Sequence, residues 1–284
     1  MCTHLIAGCG YLGHRVARRW LAAGNRVSAI TRSRQRATKL RGEDISPIVA
    51  DIARRDSLGN LPPADVVLFA VGFDRQAGNS IEEVYVGGLA NLLDALPKPP
   101  RRLIYISSTG VYGQTDGSWV DELSPCQPNR AGGRACLAAE QLLQASEVAK
   151  QTVILRSAGL YGPGRIPRAA DFESQSPISA NPDVWLNLIH IDDIADLVVQ
   201  VAADTPPSNL YVVSDGNPVK RREFYKYLAE LKGLPSPTFA PPEEPSGRRA
   251  GGDNKRVNSQ RLVSELQPQL QYPSFREGLA AIET

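Results

Sequence analysis

The chain has 284 residues, of which 42% are hydrophobic and 22% charged, ordinary globular proportions and enough length for one large domain or two small ones. A formal net charge of +2 argues against a surface built for nucleic acid, and no apolar run nears the roughly 18 residues of a membrane helix. Four scattered cysteines (Cys2, Cys9, Cys126, Cys136) lack metal-type pairing and Met1–Leu5 lacks a basic, apolar leader, so a cytoplasmic protein with no metal site is expected.

In chain order, Thr3–Ala7 and Arg26–Thr31 read as strands. Between them Leu12–Ala23 reads as a helix, with Leu12, Val16, Trp20 and Ala23 at helical spacing and Gly24 ending it. Ile45–Ala50, Val66–Val71, Leu103–Ser107 and Thr152–Arg156 are further buried strands by their short apolar runs. Ser80–Leu96 has a Ser80-x-x-Glu83 capping box, one apolar face and Pro97 as its stop. A second helix is predicted over Arg134–Val148.

Beyond Arg156 the pattern loosens. Gly162–Pro182 is loop-like, Asp192 and Asp193 are placed to cap a helix, and Leu210–Val213 is one more strand. Arg222–Lys232 is helical, Pro235–Gly252 is a loop or flap, and Ser274-x-x-Glu277 opens a terminal helix. The expected fold is α/β: a Rossmann-type, doubly wound parallel sheet with a smaller C-terminal substrate lobe. Residues 1–160 would bind a dinucleotide. Residues 161–185 and 235–284 would form the lobe, and 186–234 would return to the sheet.

Gly8-Cys9-Gly10-Tyr11-Leu12-Gly13 stands between the first strand and first helix. Glycines there serve a tight turn, a close backbone approach to pyrophosphate, and tight packing of helix on strand. The helix N-terminus adds free N–H groups and a favourable dipole. The second strand ends Thr31-Arg32-Ser33-Arg34, with no acid for ribose hydroxyls. Arg32 and Ser33 suit a 2′-phosphate, so NADP is preferred and NAD is the second choice.

Further segments carry a family resemblance. Val49-Ala50-Asp51-Ile52 resembles a strand end whose Asp touches adenine, and Phe69-Ala70-Val71-Gly72 resembles the segment passing beneath the cofactor. Ile106–Gly113, Leu155–Gly164 and Ile189–Ala195 are similar to later signatures in the same order. Together they resemble the extended short-chain dehydrogenases/reductases, the NAD-dependent epimerase/dehydratase family. The resemblance implies Gly8, Gly10, Tyr11, Leu12, Gly13, Arg32, Ser33, Asp51, Ile52, Ala70, Val71 and Gly72 as cofactor-binding residues. It also implies Ser108 as the hydroxyl that meets the substrate oxygen. The family's usual G-x-x-G-x-x-G is altered, because Ala7 stands first and Gly8 follows.

The family's active members carry a Tyr and a Lys four residues apart on one helix, about one turn, so that both face the cofactor. Matching Leu137-Ala138-Ala139-Glu140 to that segment puts Gly132 at the Tyr position and Cys136 at the Lys position. Arg134 lies off that face and stays protonated near neutrality. Tyr112 and Tyr161 are secondary catalytic candidates, and His190 an orienting one. Arg165, Arg168, Arg248, Arg249, Lys255 and Arg256 would select an anionic ligand if they converged. The leading expectation is an atypical NAD(P)-dependent oxidoreductase or epimerase acting on a small polar metabolite, as monomer or homodimer. The alternative is a non-enzymatic NAD(P)-binding sensor. An RNA-binding relative is the weakest reading, given 6% aromatic content. No nucleic acid or membrane partner is expected.

Overall fold

A computed structural model describes residues 1–167, 172, 174, 176–241 and 253–283. The first seven principal strands are β1 (Thr3–Ala7), β2 (Arg26–Thr31), β3 (Ser46–Val49), β4 (Val66–Phe69), β5 (Arg102–Ser108), β6 (Thr152–Ser157) and β7 (Leu210–Val213). They form one sheet in the order β3-β2-β1-β4-β5-β6-β7. The pairs β1–β2, β2–β3, β1–β4 and β4–β5 are parallel. Strand order therefore reverses beside β1, where the carboxyl ends of β1, β2 and β4 lie in register at Ala7, Ile30 and Phe69.

Parallel strands need crossover helices, and the sequence supplies them. In chain order the helices given by the described residues include α1 (Tyr11–Ala22), α2 (Arg34–Arg41), α3 (Gly88–Ala95), α4 (Ala131–Gln144), α5 (Ile191–Ala203), α6 (Arg221–Leu231), α7 (Gln260–Leu266) and α8 (Phe275–Glu283). No helix among the described residues is long and apolar enough to cross a membrane.

The chain forms two compact units. The first comprises Met1–Val111, Pro128–Arg156 and Ile194–Tyr211; the second comprises Tyr112–Gln127, Ser157–Asp193 and Val212–Thr284. Leu5, Val67, Phe69, Leu103 and Tyr105 of the sheet meet Leu89, Leu92, Ala139 and Leu143 of the helices in the first core. The second core is aromatic, built on Tyr161, Phe172, Phe224, Tyr225 and Phe275. Its strands are short pairs, such as Trp119–Val120 with Arg256–Val257 and Leu188–His190 with Gly159–Tyr161.

Several local expectations need correction. The helix expected from Arg134 begins three residues earlier, with Arg130 at the N-cap, so Gly132-Gly133 lie inside a regular first turn. The helix expected over Ser80–Leu96 keeps its capping box: Glu83 N–H donates to Ser80 Oγ at 3.1 Å and Ser80 N–H to Glu83 Oε2 at 2.6 Å. It then runs as a π-helical turn over Glu83–Gly87 before α3. Strand β4 stops at Phe69 rather than Val71. Asp193, expected as a cap, lies in the first turn of α5 and also reaches far along the chain. Its carboxylate accepts from Gln271 N–H at 2.7 Å and Tyr272 N–H at 3.2 Å, fastening a distant segment. Among the described residues the loop-like stretches also carry a short pair, Phe239–Ala240 with Ile178–Ser179.

Candidate functional site

The glycine turn fills the gap between β1 and α1, and each glycine has its own reason. Gly8 has φ +92°, and a Cβ there would stand 2.4 Å from the Ala70 carbonyl oxygen. The turn thus lies directly on the chain leaving β4, where Ala70 N–H donates to Ala7 O at 2.8 Å. A Cβ on Gly13 would come within 2.3 Å of Gly8 O, so this glycine lets α1 pack on the turn. Gly10 differs. Nothing lies within 4 Å of its Cβ position, and as N-cap of α1 it has no side chain to occupy the first-turn N–H groups. The backbone is pinned on both sides of an open, N–H-lined space, which suits a pyrophosphate.

Ala7, Leu12 and Ile52 are buried, whereas Tyr11, Ala70 and Val71 are half-buried and Gly72 is exposed with open space at its Cβ. Asp51 bends the chain after β3: its Oδ1 accepts from Ala53 N–H at 3.0 Å, and its own N–H donates to Ser57 Oγ at 3.0 Å. Arg32 is exposed and paired to Asp74 at 3.0 Å. Ser33 is the N-cap of α2, its hydroxyl accepting from Arg36 N–H at 3.1 Å. Arg36, which the sequence reading passed over, turns back to the glycine turn and donates to Cys9 O at 2.9 Å. Its cue was available: it is the third residue of a helix capped by Ser33, on the side facing the turn.

Strand β5 delivers Ser108, half-buried, whose Oγ accepts from Gly110 N–H at 3.0 Å. Gly110 in turn meets α4: a Cβ on Gly133 would be 2.1 Å from Gly110 O. Gly132 is not so constrained, since its Cβ position has only Ile81 Cδ1 nearby, at 3.5 Å. One turn further along α4, Cys136 is buried against Tyr105 and Ser107, and burial pushes its thiol up to about 11. A thiol held protonated in this way is a poor nucleophile. Glu140, next on that face, accepts from Ser107 Oγ at 2.5 Å and from Arg156 Nη2 at 2.6 Å, a fully buried ion pair tying α4 to β6. Arg134 is exposed and donates to Asn129 O at 3.2 Å.

The other candidates belong to the second unit. Tyr112 is fully buried, and its carbonyl accepts from Lys255 Nζ at 2.9 Å. Tyr161 is also fully buried, its hydroxyl donating to Ser274 O at 3.2 Å, and burial drives its phenol far above the ordinary range. Such a group packs rather than exchanges protons with a substrate. His190 lies between the rings of Tyr161 and Tyr272 and takes the Asp192 N–H on Nδ1 at 3.3 Å. Of the basic residues, Lys255 is buried and Arg256 stacks on Trp119 and Trp185, while Arg168, Arg248 and Arg249 fall outside the described residues. No group of three or more His, Cys, Asp or Glu among the described residues forms a metal site.

The sequence pattern of the NAD dependent epimerase/dehydratase family matches residues 4–214. The chain belongs to that family. Protein YeeZ of Escherichia coli K12 is 28% identical over 274 residues, 94% of this chain and 95% of YeeZ. A 4-hydroxy-2-methyl-3-oxo-4-farnesyl-3,4-dihydroquinoline-1-oxide ketoreductase of Stigmatella aurantiaca is 28% identical over 255 residues, covering 82% of this chain and 74% of that protein. The structure of UDP-glucose 4-epimerase from Thermotoga maritima, with UDP-glucose, covers 99% of this chain and 97% of its own at TM-score 0.81 and 17% identity, a likeness of fold. Membership of this epimerase/dehydratase family implies an NAD(P) cofactor, and the glycine turn fits one. Gly10 with the first-turn N–H groups of α1 would hold the pyrophosphate of such a cofactor.

Proposed function

We propose that this family member is an NADP-preferring oxidoreductase or epimerase that changes the oxidation state of a carbonyl or alcohol carbon in a small polar metabolite. The observation that carries this is the glycine turn: Gly8 and Gly13 are forced by packing, while Gly10 alone faces open space. The ketoreductase relative supports carbonyl chemistry. When bound, the nicotinamide supplies or accepts hydride. The chain's own residues hold the dinucleotide and orient the substrate oxygen, with Ser108 as the hydroxyl donor.

Phosphate preference rests on cations. Arg32 and Arg36 flank the α2 end of the turn with no carboxylate from β2 to claim a ribose hydroxyl. The family's Tyr and Lys positions are Gly132 and Cys136, so the branch is atypical in its proton transfer. Sealing of Cys136 against Tyr105 and Ser107 also favours a second reading, a dinucleotide sensor without turnover.

Calorimetric titration with NADPH, NADP, NADH and NAD tests the proposal. Micromolar binding with phosphate preference is expected, and loss of that binding in Gly10→Glu with the fold intact. Arg32→Asp should shift the NADP/NAD affinity ratio toward NAD by about tenfold. No binding of any dinucleotide would refute the reading; binding without turnover on a panel of carbonyl compounds would leave the sensor.

A further inference from the structure

Strand β1 lies between β2 and β4, with Ala7 level with Ile30 on one flank and Phe69 on the other. The glycine turn leaves β1 directly after Ala7. Arg32 stands two residues beyond Ile30 and Asp74 five beyond Phe69, yet Arg32 Nη2 and Asp74 Oδ2 are 3.0 Å apart. Their ion pair therefore joins the exits of the two flanking strands across the carboxyl end of β1. That edge is where open α/β sheets take their ligands. Just beyond Arg32, α2 turns Arg36 Nη2 onto Cys9 O at 2.9 Å, so the segment carrying Arg32 is fastened to the glycine turn itself.

Asp74 is held in place for this contact. Its Oδ1 accepts from Gln76 N–H at 3.0 Å, which orients the carboxylate and leaves Oδ2 for Arg32. The Gln76 N–H and the Arg32 guanidinium keep this carboxyl below the ordinary range, so it is ionised at neutral pH. Both side chains are about half exposed, and an ion pair in that setting is weak. A ribose 2′-phosphate carries nearly two charges and three acceptor oxygens, and a guanidinium fork can meet it with two parallel bonds. Such a phosphate outcompetes one exposed carboxylate oxygen, but it gains Arg32 only when Asp74 lets go.

We propose that Asp74 is a specificity-determining residue of the cofactor site: its carboxylate competes with the 2′-phosphate for the Arg32 guanidinium and so narrows the margin between NADP and NAD. This rests on the dinucleotide reading above. NAD carries a hydroxyl where NADP carries the phosphate, and leaves the Arg32–Asp74 pair intact. Binding NADP breaks that pair, and the loss is subtracted from what the phosphate gains. Asp74 thus acts against the preference that Arg32 creates.

Asp74→Asn removes the charge and keeps an Oδ1 to accept the Gln76 N–H, so the local turn is retained. Wild type, Asp74→Asn, Arg32→Gln and the double variant are titrated calorimetrically with NADP, NAD and adenosine 2′,5′-bisphosphate. The last probe carries the 2′-phosphate without the nicotinamide. Asp74→Asn is expected to bind NADP and the bisphosphate about fivefold more tightly than wild type, with NAD affinity unchanged. In the Arg32→Gln background the same substitution should bring no gain, because the two residues act as one pair. Unchanged NADP affinity in Asp74→Asn, or an equal gain for NAD, overturns the role of Asp74 while wild-type NADP binding upholds the dinucleotide reading. A full gain that persists without Arg32 overturns it as well, since Asp74 would then act on the phosphate directly. If the wild type binds neither dinucleotide, the dinucleotide reading falls and this proposal with it.

Discussion

A buried carboxylate in each of the two units meets burial in an opposite way. In the first, Glu140 is surrounded by partners: Arg156 by three nitrogen–oxygen contacts between 2.6 and 3.2 Å, and Ser107 at 2.5 Å. In the second, the buried Asp215 accepts from Asn217 N–H on Oδ1 at 2.9 Å, and its Oδ2 has no hydrogen-bond partner among the described residues. Burial, with the Asp193 and Glu277 carboxylates nearby, pushes Asp215 up to about 7. A satisfied charge rigidifies its surroundings; an unsatisfied one makes them sensitive to pH.

The largest expected effect breaks the first arrangement. Glu140→Gln leaves Arg156 buried without its counter-charge and should cost about 3–5 kcal/mol in denaturant unfolding. The replacement Gly133→Ala, which presses a methyl onto Gly110 O, should cost about 1–3 kcal/mol by the same measurement. An unaltered midpoint in either variant would remove the claim that α4 is locked to β5 and β6.

The pH predictions sharpen the contrast. Asp215 binds its proton more tightly folded than unfolded, so its contribution is full below about 4 and is lost as pH rises through about 7. The first unit's His4, buried and stacked on Trp20 at 4.2 Å, is pushed down to about 4 by burial. Its contribution is full above 6.5 and is lost as pH falls toward 4. Hydrogen exchange resolved by segment should therefore show the first unit loosening toward acid and the second toward neutral and alkaline pH. Asp215→Asn should flatten the second trend and leave the first; identical pH profiles in both units would contradict the comparison. The smallest effect is at the surface, where Ser80→Ala removes the capping box ahead of the π-turn and should cost about 1 kcal/mol.

Legibility followed how local each signal is. Strands β1, β2 and β7 have the bounds their apolar runs predict, because the signal is local and the strand period repeats over several residues. In the second unit, side chains meet backbone from far along the chain, as Asp193 does with Gln271 and Asn217 does with Pro273 O at 2.8 Å. Such bonds leave no period to read. Asp193 looks like a helix cap in sequence for that reason, and an Asp beside a helix start satisfies both descriptions until the partner is known.

The sequence by itself determined the parallel sheet, the glycine turn at the switch point and the capped helices, since each follows from residue chemistry acting over a few neighbours. Only the tertiary structure decided that Tyr112–Gln127 belongs with Val212–Thr284, and that Gly13 and Gly133 are packing glycines while Gly10 is open. Those facts depend on which distant backbones and side chains approach within a few ångströms. Such approaches are set by how whole helices and strands pack, and the local sequence on either side carries no record of them.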